Sequence, residues 1–156
     1  MKFILLTIKL NSEEDTIILG HRLAKLVYAT DVITLSGKLG AGKTVLARGL
    51  IQSHLKSNEI ITSPTFTLLN IYDTISPAIW HFDLYRIEKS YEIEELGLDE
   101  ALSSSISIIE WPEIAKVYLP HNRLEISLFY NDKDNSRTAL LKPSTEWEKR
   151  LEKLNE

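Results

Sequence analysis

Apolar residues along this chain follow two periods. Leu19, Leu23, Leu26 and Val27 recur at helical spacing behind Ser12-Glu13-Glu14-Asp15, a group resembling a capping box, so a helix is expected over residues 13–29. Short apolar runs predict strands instead. Asp31-Val32-Ile33-Thr34-Leu35-Ser36 is one, and Ala78-Ile79-Trp80-His81-Phe82-Asp83 and Ile106-Ser107-Ile108-Ile109-Glu110 are two more, each of these last two ending in a carboxylate. The opening run, residues 1–9, reads as a first strand; Lys9 interrupts it too soon for a signal peptide. A second helix starts around Val45 and ends within residues 54–57, before the polar break Asn58-Glu59. Residues 60–69 are rich in strand formers, but Pro64 has no N–H for a central ladder, so a loop leading into a strand is expected there. A helical segment over 91–102 is broken at Gly97, and Pro112 suits the first turn of a short helix through Val117. Residues 123–130 and 137–142 pair as a hairpin around a polar turn at 131–135, and a helix over 145–154 closes the chain.

Strands alternating with helices predict an α/β fold, and 156 residues suit one domain, 1–156, with its own core. Hydrophobic residues make up 44% and charged residues 26%, which excludes a disordered or fibrous chain. The absence of cysteine removes disulfides, thiolate metal sites and cysteine nucleophiles and fits a reducing compartment, so the cytoplasm is the expected address. No apolar run approaches membrane-spanning length, so no membrane partner is expected. A net charge of −4 speaks against holding nucleic acid unaided. Glu88, Glu92, Glu94, Glu95, Asp99 and Glu100 form an acidic stretch, read as a solvated helix face with docking of a basic partner as the sharper alternative.

Gly37-Lys38-Leu39-Gly40-Ala41-Gly42-Lys43-Thr44 matches the phosphate-binding loop pattern at every fixed position, between the strand and the helix that the pattern requires. A triphosphate needs several backbone N–H groups converging on its oxygens, and glycines let the backbone come that close. Lys43 would reach the terminal phosphates, Thr44 would offer its hydroxyl to Mg²⁺, and the helix start, through Val45, would aim its positive dipole end at the phosphates. The fold class is therefore a P-loop NTPase-like three-layer sandwich, its sheet mostly parallel, with a C-terminal β-hairpin and a terminal helix. In open α/β sheets the carboxyl ends of strands line the ligand crevice, which places Asp83 and Glu110 at the metal and the attacking group.

Around that loop stand Thr62-Ser63-Pro64-Thr65-Phe66, His81-Phe82-Asp83-Leu84-Tyr85-Arg86, Glu95-Leu96-Gly97-Leu98-Asp99-Glu100 and Ile109-Glu110-Trp111-Pro112-Glu113. Together they resemble the TsaE (YjeE) family of bacterial ATPases over nearly the whole chain. The resemblance implies an ATPase, binding ATP and ADP with Mg²⁺, that serves synthesis of threonylcarbamoyladenosine beside the tRNA anticodon. It implies TsaB and TsaD homologues as partners and contact with tRNA only through that complex. Residue by residue, Lys43 and the backbone of 40–44 match the family's phosphate cradle, and Thr44 with Glu110 its Mg²⁺ pair. Asp83 matches the acid needed for hydrolysis, by positioning water or by supporting the metal, and both roles stay open. Thr65 resembles a switch threonine that senses the terminal phosphate, its plainer reading being a turn residue. Trp111 reads equally as a core aromatic or as a neighbour of the nucleotide. His81 reads as a packed strand histidine, and Arg86 as pairing with a nearby acid rather than with phosphate. Lys38 stands where relatives often carry an acid, and Ile114 where a basic residue is common.

Three rivals compete with this reading. A GTPase lacks support, because Asn131-Asp132-Lys133-Asp134 puts its lysine one place late for guanine reading. A small-molecule kinase would need a basic lid segment, which is not evident. A module that binds nucleotide without turnover is the strongest alternative outside the enzymes.

Overall fold

The computed structural model describes residues 4–156. Seven strands form one sheet in the order β1-β7-β6-β2-β5-β4-β3. In chain order these are β1 (Leu6–Leu10), β2 (Val32–Ser36), β3 (Leu69–Tyr72), β4 (Ile79–Asp83), β5 (Ile106–Glu110), β6 (Leu124–Asn131) and β7 (Ser136–Pro143). Central β2 runs parallel to β5 and β6, and β5 parallel to β4; β3 and β7 oppose their neighbours, so all strands but these two point one way. Residues 1–3 of the expected opening strand lie outside the described residues.

Buried on both faces, β2, β4 and β5 explain the near-continuous apolar runs of the sequence. Ile33, Leu35, Ile79, Ile106 and Ile108 pack with α1 (Glu13–Ala24) and α2 (Lys43–Leu55), while Val32, Trp80, Phe82 and Ile109 face α3 (Tyr91–Glu95) and α4 (Leu98–Ser104). Helices therefore cover both faces, as the three-layer expectation requires. Glu94, Glu95, Asp99 and Glu100 are exposed on α3 and α4, and Glu92 accepts the N–H groups of Glu88 and Lys89, which is the solvated face expected.

Most differences from the sequence reading lie at element ends. Ser12 caps α1 by accepting the Asp15 N–H, and Asp15 reaches back to the Asn11 N–H, one residue beyond an ordinary capping box. The helix stops at Ala24, not near 29, because the chain tightens: Leu26 N–H bonds Leu23 O at 2.9 Å, and the Asp31 carboxylate, held by Arg150, accepts the Tyr28 N–H. Leu26 and Val27 still pack on the core from this turn, which is why the helical period outlasts the helix. Residues 60–68 form the expected loop, and β3 starts only at Leu69. The terminal helix α5 (Thr145–Leu151) seats Trp147 in the α1–α2 side of the core.

Helices α1 and α2 meet backbone to backbone. A Cβ on Gly49 would stand 2.5 Å from the Ile17 carbonyl oxygen, and one on Gly20 would stand 2.6 Å from that of Leu46. Exchanging glycine for alanine inside a helix ordinarily gains about 1 kcal/mol. Here it meets main chain, and forcing extra volume into such a contact costs about 1–3 kcal/mol. Gly49→Ala is thus expected to lower the thermal unfolding midpoint, and a raised midpoint would contradict the close approach.

Candidate functional site

The phosphate loop leaves the carboxyl end of β2 and enters α2. Gly37 has φ +146°, and a Cβ there would lie 2.5 Å from the Leu128 carbonyl of neighbouring β6, so no larger residue fits this bend. Lys43 is the first residue of α2. Its ammonium donates to the carbonyls of Gly37 (2.5 Å) and Lys38 (2.9 Å) and lies 4.1 Å from the centre of the Trp111 ring. Burial lowers its pKa from the ordinary lysine value, against the pull of Glu110, Asp83 and Glu113.

Parallel pairing of β4 with β5 sets Asp83 directly beside Glu110, both almost fully buried. Thr44 Oγ1 donates to Glu110 Oε1 at 2.9 Å, and His81 Nε2 approaches the same oxygen at 3.3 Å. Asp83 Oδ2 accepts from Ser63 Oγ and Thr65 Oγ1, both at 3.1 Å, and Oδ1 accepts the Tyr85 N–H at 3.0 Å. Those two hydroxyls lie 2.7 Å apart. The acid is thereby tied to the loop before β3.

Trp111 begins the 3-10 helix Pro112–Tyr118 in a left-handed conformation, φ 55°, with its N–H bonded to Leu35 O of β2. Its ring meets that of Tyr85 at a tilt of 47°, with centroids 4.8 Å apart. Trp111 packs beside the smaller core and also walls the cleft.

A cleft of about 350 Å³ gathers Lys43, Thr44, Thr65, Asp83, Glu110 and Trp111, with Leu39, Gly40, Gly42 and Val45 beside them. Gly37, Lys38 and Ala41 do not line it: the first two offer carbonyls to Lys43, and Ala41 is core, 1% exposed. Arg86 departs from its expected ion pair. It lies over the Phe66 ring at 4.6 Å on the surface, and none of the ion pairs among the described residues uses it. His81 is fully buried as expected, yet it also touches the Glu110 carboxylate. Ser63, Tyr85 and Arg137 join the site without having been singled out. Ser63 had a signal, since it lies beside the switch-like threonine; Arg137 had none.

A buried parallel strand, a glycine-hinged loop and a helix, with two strand-end acids alongside, define a nucleotide-binding protein of the P-loop NTPase class. Residues 10–139 match the family described as TsaE, threonylcarbamoyl adenosine biosynthesis protein TsaE. The chain belongs to the TsaE family. It is 40% identical over 137 residues to the tRNA threonylcarbamoyladenosine biosynthesis protein TsaE of Rickettsia felis, covering 88% of this chain and 80% of that protein. The Streptomyces coelicolor protein of the same name is 42% identical over 113 residues, covering 70% of this chain and 76% of its own. Among solved structures, Bacillus YdiB superposes with a TM-score of 0.82 at 26% identity, covering 99% of this chain and 97% of that one. Among the described residues no helix is long and apolar enough to cross a membrane.

Proposed function

We propose that this chain is a Mg²⁺-dependent ATPase that serves threonylcarbamoyl modification of the adenosine beside the tRNA anticodon by acting on a complex of TsaB and TsaD homologues. It meets tRNA only through that complex. The observation that carries the reading is the 2.9 Å contact of Thr44 with Glu110 at the start of the phosphate helix. The backbone N–H groups of 40–45 cradle the ATP or ADP tail, and Lys43 reaches its terminal phosphates. Among the described residues no cluster of three or more His, Cys, Asp or Glu is arranged to hold a metal. A hydroxyl beside one carboxylate is instead the sparse oxygen set that suits Mg²⁺ sharing its shell with phosphate and water. When bound, Mg²⁺ neutralises charge on the phosphates.

Asp83 and Thr65 make the site responsive. A terminal phosphate that takes the Thr65 hydroxyl removes one of the two donors on Asp83 Oδ2 and opens an acceptor position there to orient the attacking water. Arg86 lies over Phe66 on the surface and does not line the cleft, and the isolated chain is expected to turn over slowly until partners dock. Phosphate release, measured with and without Mg²⁺ and with and without TsaB and TsaD homologues, tests this. Full speed alone, unchanged by partners, defeats the regulatory part; no release under any condition leaves a binding module.

Glu110→Gln keeps an acceptor for Thr44 but removes the charge. It is expected to raise the Mg²⁺ concentration needed for half-maximal turnover by about tenfold or more. A normal metal titration would count against Glu110 as a ligand.

A further inference from the structure

Strand alternation puts His81 and Asp83 of β4 on the same sheet face as Ile108 and Glu110 of β5, the face that α2 covers. Asp83 pairs directly with Glu110 and His81 with Ile108, so His81 and Glu110 are diagonal neighbours there. Contact of His81 Nε2 with Glu110 Oε1 at 3.3 Å closes the diagonal, between side chains that are 0% and 2% exposed.

The other ring nitrogen, Nδ1, is buried without a hydrogen-bond partner. That fixes which nitrogen carries the proton. A proton on Nδ1 would go undonated in the core and would turn a bare Nε2 toward a carboxylate, whereas a proton on Nε2 is donated to Glu110 and leaves only a lone pair unused. The ring is therefore a donor aimed at the strand-end acid.

This donor is steadier than the other one on the same carboxylate. Thr44 Oγ1 reaches Oε1 at 2.9 Å and Oε2 at 3.3 Å from the first turn of α2, and its hydroxyl is also the group offered to Mg²⁺. His81 does not line the cleft and sits mid-strand, paired with Ile108 on one side and Asn70 on the other. Loading the site engages Thr44 but not His81.

We infer that His81 is the positioning residue for Glu110: its Nε2–H holds the carboxylate in the orientation that meets the metal while the Thr44 hydroxyl turns to the cation. This rests on the reading of Glu110 as an Mg²⁺ ligand and adds the group behind it. A partner of this kind sets the ligand before the metal arrives, and losing one costs about 10–100-fold in metal affinity.

The test reads metal affinity without turnover. ADP binding is measured by calorimetry in EDTA and across a series of Mg²⁺ concentrations for the wild-type chain, His81→Leu, His81→Gln, Glu110→Gln and the double variant His81→Leu with Glu110→Gln. His81→Leu is expected to raise the Mg²⁺ concentration that half-maximally tightens ADP binding by about tenfold, with ADP affinity in EDTA unchanged, which also shows the fold and the phosphate loop intact. His81→Gln returns an N–H donor and is expected to recover most of the loss. Because His81 acts through Glu110, adding His81→Leu to Glu110→Gln is expected to cost little more. Normal Mg²⁺ dependence in His81→Leu, an equal loss of ADP affinity in EDTA, no recovery by glutamine, or a full further loss in the double variant overturns the positioning role. Should His81→Leu fail to fold, His81→Phe, which keeps a ring without the donor, carries the same comparison. ADP binding by the wild-type chain that ignores Mg²⁺, or a normal Mg²⁺ dependence in Glu110→Gln, instead overturns the metal reading of Glu110, and this inference with it.

Discussion

Lys43→Ala is expected to weaken ATP binding by about tenfold to a hundredfold without weakening the fold. A charge-assisted hydrogen bond contributes about 1.5–3 kcal/mol, and each 1.4 kcal/mol is a factor of ten in affinity. The unchanged or raised stability follows from protonation. Burial lowers the pKa of Lys43 below its ordinary value, so the charged ammonium is worse off folded than unfolded, and its cost fades as pH rises through the lowered value. Removing the group relieves that cost. The carbonyls of Gly37 and Lys38 lose a donor, but Lys38 is exposed and water reaches the loop. Calorimetry with ATP and a thermal unfolding curve on one preparation separate the two effects. Unchanged affinity would contradict the cradle, and a collapsed fold would show that Lys43 holds the loop rather than the ligand.

Asp83→Ala is expected to reduce phosphate release by about two to four orders of magnitude, the usual range for a positioned proton acceptor, with ATP affinity nearly retained. Three donors converge on this carboxylate, and two of them, Ser63 and Thr65, are hydroxyls of the loop before β3. A purely anchoring role would be met by asparagine, which keeps one acceptor oxygen. Asp83→Asn is therefore expected to fail almost as badly as alanine in single-turnover assays. Near-normal release by the asparagine variant would reduce Asp83 to a loop anchor.

What the sequence made legible was whatever one short segment carries by itself. The loop at 37–44 has fixed spacing between a strand and a helix, and Asp83 and Glu110 each end an apolar run, so each was placed from local pattern alone. Their mutual pairing needed the parallel register of β4 with β5, which no single segment encodes. Arg137 was hidden for the same reason: within its hairpin it looks like Arg123, and only the strand order brings it to the loop. His81 appeared to be a packing residue because its partner lies on another strand. The end of α1 was misplaced because a tightened turn held by Asp31 keeps later apolar residues on the core side.

The seam between Gly49 and Ile17 has a consequence for communication. At the Gly20 and Gly49 contacts main chain meets main chain, so α1 and α2 cannot shift there without moving backbone, and the two helices are held together as a pair. The 63–65 segment is held to Asp83 through hydroxyls alone, contacts that swap cheaply when a phosphate arrives. A partner that must distinguish a loaded chain from an empty one therefore has its cue at the front of the molecule, and the rear surface looks the same to it in either state.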